Sequence, residues 1–186
     1  MYIRNSQKYG KPIKIIHPGE FYVSDGDEII GTLLGSCIAV CLHDPTRGVS
    51  GMNHFMLPGR ISGTDIVKDK TAKYGITAIN KLITALEKLG ADRERLAAKI
   101  FGGGDVLDGV IASSTIPADN VRLAKVMMEM EDIQIEQIDA GGIFTRKILM
   151  DVKSGNVYLK KSTRKDVMME IKKAEGDYAQ KIAGKA

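Results

Sequence analysis

The sequence predicts an α+β fold, a single domain in which a largely antiparallel or mixed sheet is layered with two or three helices. The length of 186 residues suits one compact domain and is short for two. Short segments rich in β-forming residues, each bounded by a turn signal, predict strands. A few longer segments instead have the apolar periodicity of helices. Strand pairs mixed with so few helices are typical of a sheet that helices cover.

Eight segments are predicted as strands. The clearest turn between them covers residues 44–48, where Pro45 stands at the position that a type I turn prefers. A hairpin is predicted around residues 154–156. The predicted strands cover residues 20–23, 28–34, 37–43, 52–57, 98–101, 133–138, 145–152 and 157–160.

Three helices are predicted. The strongest signal covers residues 72–89, where an apolar stripe at helical spacing ends at Gly90, a typical C-cap. The second helix begins at Pro117, since proline is favoured in a first helical turn. The third begins at Thr163, with a break expected near Gly176.

The composition is that of an ordinary folded protein, with 44% apolar and 27% charged residues. The formal net charge is +4 at pH 7, and the excess of basic residues lies at the two ends of the chain. We therefore expect a loose basic segment at residues 1–18, the folded domain at residues 19–160, and a basic, helical tail at residues 161–186.

Composition also excludes several kinds of partner. Nucleic-acid-binding proteins usually carry a basic face with stacking aromatic side chains, whereas 5% of residues here are aromatic and Trp is absent. No apolar run reaches the ~20 residues that a membrane helix needs, and residues 1–14 are too polar for a signal peptide. We expect a cytoplasmic protein with no nucleic-acid partner and no membrane insertion.

Cys37 and His54 are the strongest candidates for catalysis. Cys37 and Cys41 lie too far apart on one predicted strand for a disulfide, which indicates a reducing compartment. His54 lies within an apolar strand, where a polar ring needs a partner. If residues 44–47 form the turn, Cys37 lies directly opposite His54, close enough for the imidazole to hold its sulfur as a thiolate.

The residues before Cys37 suit the same chemistry. Gly35 and Ser36 interrupt the strand, and successive backbone N–H groups at such a break can bind an oxyanion. Thr32 can hydrogen-bond the far nitrogen of His54 and fix its tautomer, the orienting role of the third member of a triad.

A metal site is the main alternative for these side chains. Cys37, Cys41, His43 and His54 are of the ligand types that zinc prefers. Structural zinc cysteines usually lie closer together on a tight turn, so we favour catalysis and predict no metal. The glycine run at residues 102–104 lacks the ending of a P-loop and the spacing of a dinucleotide fingerprint, and indicates close backbone packing instead.

Several sequence stretches resemble one known family. LGSCIAVCLHDP at residues 34–45, followed by GMNHFMLP at residues 51–58, is similar to the signature of the CheD family, the chemoreceptor glutamine deamidases. KYG at residues 73–75, AKIFGG at residues 98–103 and DAGG at residues 139–142 resemble the family as well. The resemblance spans roughly residues 19–160.

This resemblance implies a reaction and its residues. Family members hydrolyse the side-chain amide of selected glutamines on methyl-accepting chemotaxis receptors, releasing ammonia and leaving glutamate. The family's nucleophilic cysteine matches Cys37, its basic histidine matches His54, and its upstream threonine matches Thr32. A thioester on Cys37 is the implied intermediate, with no cofactor required. Many members also bind the phosphatase CheC, which makes CheC an expected partner.

Two other classes of function stay open on the sequence alone. A non-catalytic regulatory binding module of the chemotaxis pathway, with CheC as its partner, would use the same surface with a silent thiol. A metal- or redox-linked thiol protein would use the cysteines without hydrolysing an amide.

Overall fold

A computed structural model describes residues 1–57, 61, 71–106, 115–163 and 165–183 of the chain. Across these residues the chain forms two five-stranded sheets and three α-helices, which confirms the predicted α+β class. The strands are β1 (Tyr2–Ser6), β2 (Lys11–Ile15), β3 (Phe21–Ser24), β4 (Ile29–Leu34), β5 (Ile38–Asp44), β6 (Val49–Asn53), β7 (Ala97–Gly102), β8 (Gln134–Ala140), β9 (Thr145–Asp151) and β10 (Val157–Ser162). The helices are α1 (Ala72–Lys88), α2 (Ile116–Met130) and α3 (Lys165–Ala183).

The strands divide between two mixed sheets. The first sheet has the order β1-β2-β4-β9-β10, and the second has the order β3-β6-β5-β7-β8. Neighbouring strands are antiparallel except for the parallel pairs β2–β4 and β7–β8. In the described part of the chain, no helix has the length and apolar character needed to cross a membrane.

The two faces of β5 belong to different hydrophobic cores. Ile38 and Leu42 lie in the core that α1 and α2 form with the second sheet. Cys37, Ala39 and Cys41 lie in the core between the two sheets. The alternation of side chains along this segment therefore places Cys37 on the side that faces the first sheet.

Residues 1–18 form β1 and β2 instead of the expected loose segment. Ile13 and Ile16 are buried, and β2 pairs in parallel with β4. The ammonium of Lys11 lies 2.6 Å from the carboxylate of Asp151. Basic charge that is unbalanced in the linear sequence is thus balanced by an acidic neighbour in the folded sheet. The domain boundaries drawn from the sequence stay predictions.

The C-terminal helix α3 continues through Gly176, where a break was expected. A glycine inside a helix costs about 1 kcal/mol relative to alanine, which packing elsewhere along the helix can offset. The buried side chains of Ile171 and Ile182, on either side of this glycine, supply such packing. The tail is therefore a helix held against the domain.

The β5–β6 hairpin sets the position of Cys37 relative to His54. The predicted register places these two residues directly opposite each other and is wrong by two residues. The isolated β-bridge that continues the pairing of β5 with β6 joins Ile38 to Phe55. The loop extends through Gly48, whose φ of 63° suits glycine. Because the error is an even number of residues, both side chains remain on the same side of the hairpin.

Asp44 anchors this hairpin at the end opposite the site. Its side chain is fully buried and accepts hydrogen bonds from the backbone N–H groups of Thr46, Arg47 and Asp92 and from the guanidinium of Arg95. Burial alone would raise the pKa of Asp44, but the hydrogen bonds, that of Arg95 first, outweigh it and lower the pKa to about 2. The carboxylate thus joins the hairpin loop to the segment that leads into β7.

We expect Asp44→Ala to lower the free energy of unfolding at pH 7 by about 3 kcal/mol, because it leaves three N–H donors and a guanidinium without their acceptor. A carboxylate with a lowered pKa stabilises the fold above its unfolded pKa and loses that effect as the pH falls. The difference in unfolding free energy between the parent and Asp44→Ala should therefore shrink as the pH falls from about 4 to about 2.

Urea denaturation at several pH values would measure this difference. Glu87→Ala, which removes an exposed carboxylate paired with Arg93, is the matched control and should change stability little. A deficit for Asp44→Ala that is no larger than that of Glu87→Ala would contradict the anchoring role.

Candidate active site

Three buried side chains meet at one end of the space between the sheets. One potential ligand atom each from Cys37, His54 and Glu175 lies within 4.8 Å of the other two. Cys37 precedes β5, His54 follows β6, and Glu175 lies on α3. Within the described residues this is the one such group of three potential metal ligands. Segments far apart in sequence therefore build a single site.

The carbonyl groups of the loop that carries Cys37 accept hydrogen bonds from the glycine run that follows β7. The N–H of Gly104 donates to the carbonyl of Gly35 at 2.7 Å, and the N–H of Gly103 donates to that of Cys37 at 2.7 Å. A Cβ atom on Gly102 would overlap the carbonyl oxygen of Cys37. The glycine run predicted to serve close packing does so here, against the loop that carries Cys37.

Asn120 completes this support and was missed by sequence reasoning. Its Nδ2 donates to the carbonyl of Ser36 at 3.0 Å, and its Oδ1 accepts from the N–H of Leu57 at 2.9 Å. The residue is fully buried at the start of α2. A single amide thus joins the Cys37 loop to the segment that follows His54. The sequence near Asn120 carries no signal of this role, because its two partners lie 63 and 84 residues away.

Because the carbonyl groups of this loop are hydrogen-bonded on one side, its three successive N–H groups point to the other side, where they converge on the carboxylate of Glu175. Those of Gly35 and Cys37 donate to Oε1 of Glu175 at 3.0 and 3.1 Å, and that of Ser36 donates to Oε2 at 3.1 Å. The Ser36 hydroxyl also donates to Oε2, at 2.5 Å. Such a row of convergent backbone donors is an anion-binding nest. Here it binds a carboxylate of the same chain.

The position and tautomer of His54 are determined by Thr32. The hydroxyl oxygen of Thr32 lies 2.8 Å from Nδ1 of His54 and donates its single proton to the carbonyl of Ile16 at 2.8 Å. Nδ1 must therefore carry a proton and donate it to that oxygen. Nε2 is left with a lone pair, and it is buried without a hydrogen-bond partner among the described residues. The imidazole beside Cys37 therefore has a nitrogen that can accept a proton.

Both members of this pair are neutral in the structure. Burial raises the pKa of the Cys37 thiol well above its ordinary value, and the charge of Glu175 and a hydrogen bond to it add to the rise. Burial lowers the pKa of His54 to about 3, and the charge of His17 contributes. The expected thiolate–imidazolium pair with a low thiol pKa is therefore disfavoured in this conformation, because burial disfavours both charges and the carboxylate of Glu175 further disfavours the thiolate.

Comparison with known proteins places the chain in a family. A family model described as "CheD chemotactic sensory transduction" matches residues 56–161. A protein of Hahella chejuensis, named "Probable chemoreceptor glutamine deamidase CheD", is 40% identical over 168 residues, which cover 88% of this chain and 78% of the relative. The chain belongs to the CheD family.

A second relative supports the same assignment. A protein of Dechloromonas aromatica, named "Probable chemoreceptor glutamine deamidase CheD 1", is 39% identical over 180 residues, covering 96% of this chain and 87% of the relative. The match to the CheD family model begins after Cys37 and His54, so the assignment of roles to these two residues depends on geometry. The crystal structure of Bacillus licheniformis hypothetical protein YfiH aligns with 66% of this chain and 51% of its own, at a TM-score of 0.43 and 12% identity.

The remaining cysteine and histidine candidates of this CheD-family chain lie elsewhere. Cys41 is buried in the core between the sheets, and burial raises the pKa of its thiol. His43 is half-buried at the other end of β5, with its Nδ1 2.9 Å from the hydroxyl of Ser50. Among the described residues, neither forms a cluster of potential metal ligands with Cys37 and His54. The alternative four-ligand zinc site is therefore not assembled.

We expect His54 to remain neutral, protonated on Nδ1, down to about pH 4, since its pKa is lowered to about 3. Two-dimensional ¹⁵N NMR of the imidazole would report the tautomer and its titration. Thr32→Val removes the accepting hydroxyl at nearly constant size and should give a mixture of tautomers. Thr32→Ser is the control that keeps the Nδ1–H form, and a parent ring that titrates near pH 6.5 would contradict this description.

Proposed function

We propose that the protein deamidates glutamine side chains of chemoreceptors, with Cys37 as the nucleophile and His54 as the base. The observation that carries the proposal is the carboxylate seated on three backbone N–H groups beside Cys37. A glutamate side chain is the product of glutamine hydrolysis, so the site already binds a side chain with the shape of that product. The names of the CheD relatives supply the chemoreceptor as the substrate of those proteins.

The first half of the reaction forms a thioester. His54 Nε2, which has a free lone pair, accepts the proton of the Cys37 thiol while the sulfur attacks the amide carbon. The carbonyl oxygen becomes an oxyanion, which the N–H groups of Gly35, Ser36 and Cys37 stabilise. The proton held on Nε2 passes to the amide nitrogen, the carbon–nitrogen bond breaks, and ammonia leaves.

The second half hydrolyses the thioester. His54 accepts a proton from water, the hydroxide attacks the thioester carbon, and the same N–H groups stabilise the second oxyanion. The carbon–sulfur bond breaks, the sulfur regains its proton from His54, and glutamate is released. Throughout, Thr32 accepts the hydrogen bond from Nδ1 and keeps Nε2 directed at the reacting atoms. Each chemical role is supplied by a side chain or backbone group of this chain, so the mechanism needs no cofactor.

The partners and location follow from the same proposal. A receptor is a protein substrate, and its glutamine must reach a buried thiol, so recognition involves a surface larger than the catalytic residues. CheC is proposed as a second partner from the family resemblance alone. Because Cys37 must stay reduced to attack an amide, we place the protein in the reducing cytoplasm.

One observation favours a non-catalytic regulatory module as a second candidate function. Cys37 and His54 are 0% and 1% exposed, so a bulky substrate cannot reach them in this conformation. A binding module with a silent thiol would keep them permanently covered. Ammonia release and a mass change on the receptor distinguish the two functions.

We expect a purified receptor fragment to gain ~1 Da at selected glutamines when it is incubated with the protein, and Cys37→Ala to abolish this gain, since no other group at the site forms a thioester. Tandem mass spectrometry locates the modified residues. Cys41→Ala is the matched control, because it removes the other buried thiol and should leave the rate nearly unchanged. Full activity of Cys37→Ala would exclude the mechanism, and a folded but inactive Cys41→Ala would favour the metal-linked alternative.

Thr32→Ala should reduce turnover partly, to a value between those of the parent and Cys37→Ala, because an orienting group sets the ring angle and tautomer but forms no bond. Thr32→Ser, which keeps the hydroxyl, should recover most of the rate. Each turnover number should be compared with a melting curve. A Thr32→Ala protein with the full rate would leave Cys37 and His54 as a dyad that needs no hydroxyl.

A further inference from the structure

The C-terminal helix covers the site through one face. Ile171, Glu175, Tyr178 and Ile182 are spaced four, three and four residues apart, which places them on one side of α3. Ile171, Glu175 and Ile182 are buried. The remaining described side chains of α3 are exposed or partly exposed. The helix thus presents a carboxylate to the nest from the middle of an apolar stripe.

Two glycines make room for this helix. A Cβ atom on Gly35 would lie 2.7 Å from a methyl group of Ile171, and a Cβ atom on Gly19 would lie 2.5 Å from the ring of Tyr178. A Cβ atom at 2.7 Å or less forces its neighbour to move, so both contacts depend on the absence of a side chain. The surface beneath α3 is therefore shaped to accept a helix at close range.

Open space lies on two sides of His54 beneath the helix. A cavity of about 340 Å³ lies on one side, walled by Tyr74, Tyr178 and His54. A second cavity, of about 180 Å³, lies on the other side, walled by Thr32, Ile171 and again His54. Because α3 supplies Tyr178 to the first wall and Ile171 to the second, its removal would open both cavities into a groove along His54. A groove of this kind suits an amphipathic helix.

We propose that α3 is an intramolecular competitor of the substrate, a helix that holds Glu175 in the position of the glutamate product and must leave before a receptor helix can bind. This inference rests on the proposed function. It goes further in assigning the covered state to regulation by the chain itself. Since a tethered helix acts at a high effective concentration, the substrate meets competition at every encounter.

The charge of Glu175 adds to the inhibition. Its carboxylate occupies all three N–H donors that the oxyanion needs, and it raises the pKa of the Cys37 thiol in addition to the effect of burial. Departure of α3 would free the donors, expose the thiol and remove a negative charge from its neighbourhood. One movement therefore changes access, oxyanion binding and nucleophilicity together.

Glu175→Ala in the full-length protein tests the competition. Because it removes the charge-assisted hydrogen bonds between α3 and the nest, the variant should increase the rate of Cys37 alkylation by iodoacetamide about tenfold or more. The KM for a receptor fragment should fall by a similar factor with kcat nearly unchanged, since a larger fraction of the protein is open. Asp177→Ala, which removes an exposed carboxylate from the same helix, should match the parent in both measurements.

Cys41 reports whether the fold itself is intact. It is buried in the core between the sheets, so its alkylation should stay slow in Glu175→Ala while that of Cys37 rises. Equal alkylation of Cys37 in the parent, Glu175→Ala and Asp177→Ala would overturn the proposal. A parallel rise at both cysteines would overturn it as well, because it would show general unfolding in place of a released helix.

Glu175→Gln is a second test, in a variant of nearly unchanged shape. If Glu175 occupies the product position, the amide introduced there is a tethered substrate, and its peptide should gain ~1 Da on incubation. The double variant Cys37→Ala, Glu175→Gln is the control for spontaneous deamidation. An amide at this position that persists while the same sample deamidates receptor glutamines would overturn the product-like placement.

The two proposals fail in different ways. If no variant converts a receptor glutamine but Cys37 alkylation rises in Glu175→Ala, the deamidase function is wrong and α3 still covers the thiol. If the parent converts receptor glutamines and Glu175→Ala changes neither alkylation nor KM, the function stands and the competition is wrong.

Discussion

Everything at the site depends on how the backbone at residues 35–37 is held between β4 and β5. Its three carbonyls are bonded from one side, by Gly103, Gly104 and Asn120. Its three N–H groups consequently converge on the opposite side, where they bind a carboxylate. A backbone with donors already aligned loses little on binding an anion, which is the physical basis of an oxyanion site.

The same loop connects the site to the fold. Cys37 faces the core between the sheets because β5 alternates its side chains between two cores. The hairpin anchored at Asp44 brings His54 to the same side, and β4 carries Thr32 to the far nitrogen of its ring. Burial makes the pair neutral in the covered conformation, and the proposed mechanism therefore begins with transfer of the thiol proton to His54. The catalytic residues are thus positioned by sheet geometry, and their charge state depends on what covers them.

Much of the fold was predictable because its signals are local. The turn at Asp44, the helix stripe of α1 and the glycine run after β7 each depend on residues close in sequence. The first strands were missed because local charge suggested a solvated end, whereas β2 is stabilised by pairing with β4. The register was wrong by two residues because loop length depends on where Gly48 adopts a positive φ, which a sequence pattern does not specify. The even size of that error preserved the side-by-side placement of Cys37 and His54.

The sequence by itself determined the fold class, the family resemblance, and Cys37, His54 and Thr32 as the candidate residues, since each rests on residue type and short-range spacing. Only the tertiary structure brought Asn120 and Glu175 to the site. Asn120 lies 84 residues from the carbonyl it supports, and Glu175 lies 138 residues from the N–H of Cys37 that it accepts from. Contacts over such separations depend on the packing of whole elements, and the sequence near either partner carries no sign of them. The tertiary structure also decided the protonation of the site, because burial and the approach of a carboxylate on α3 exist only once the chain is folded.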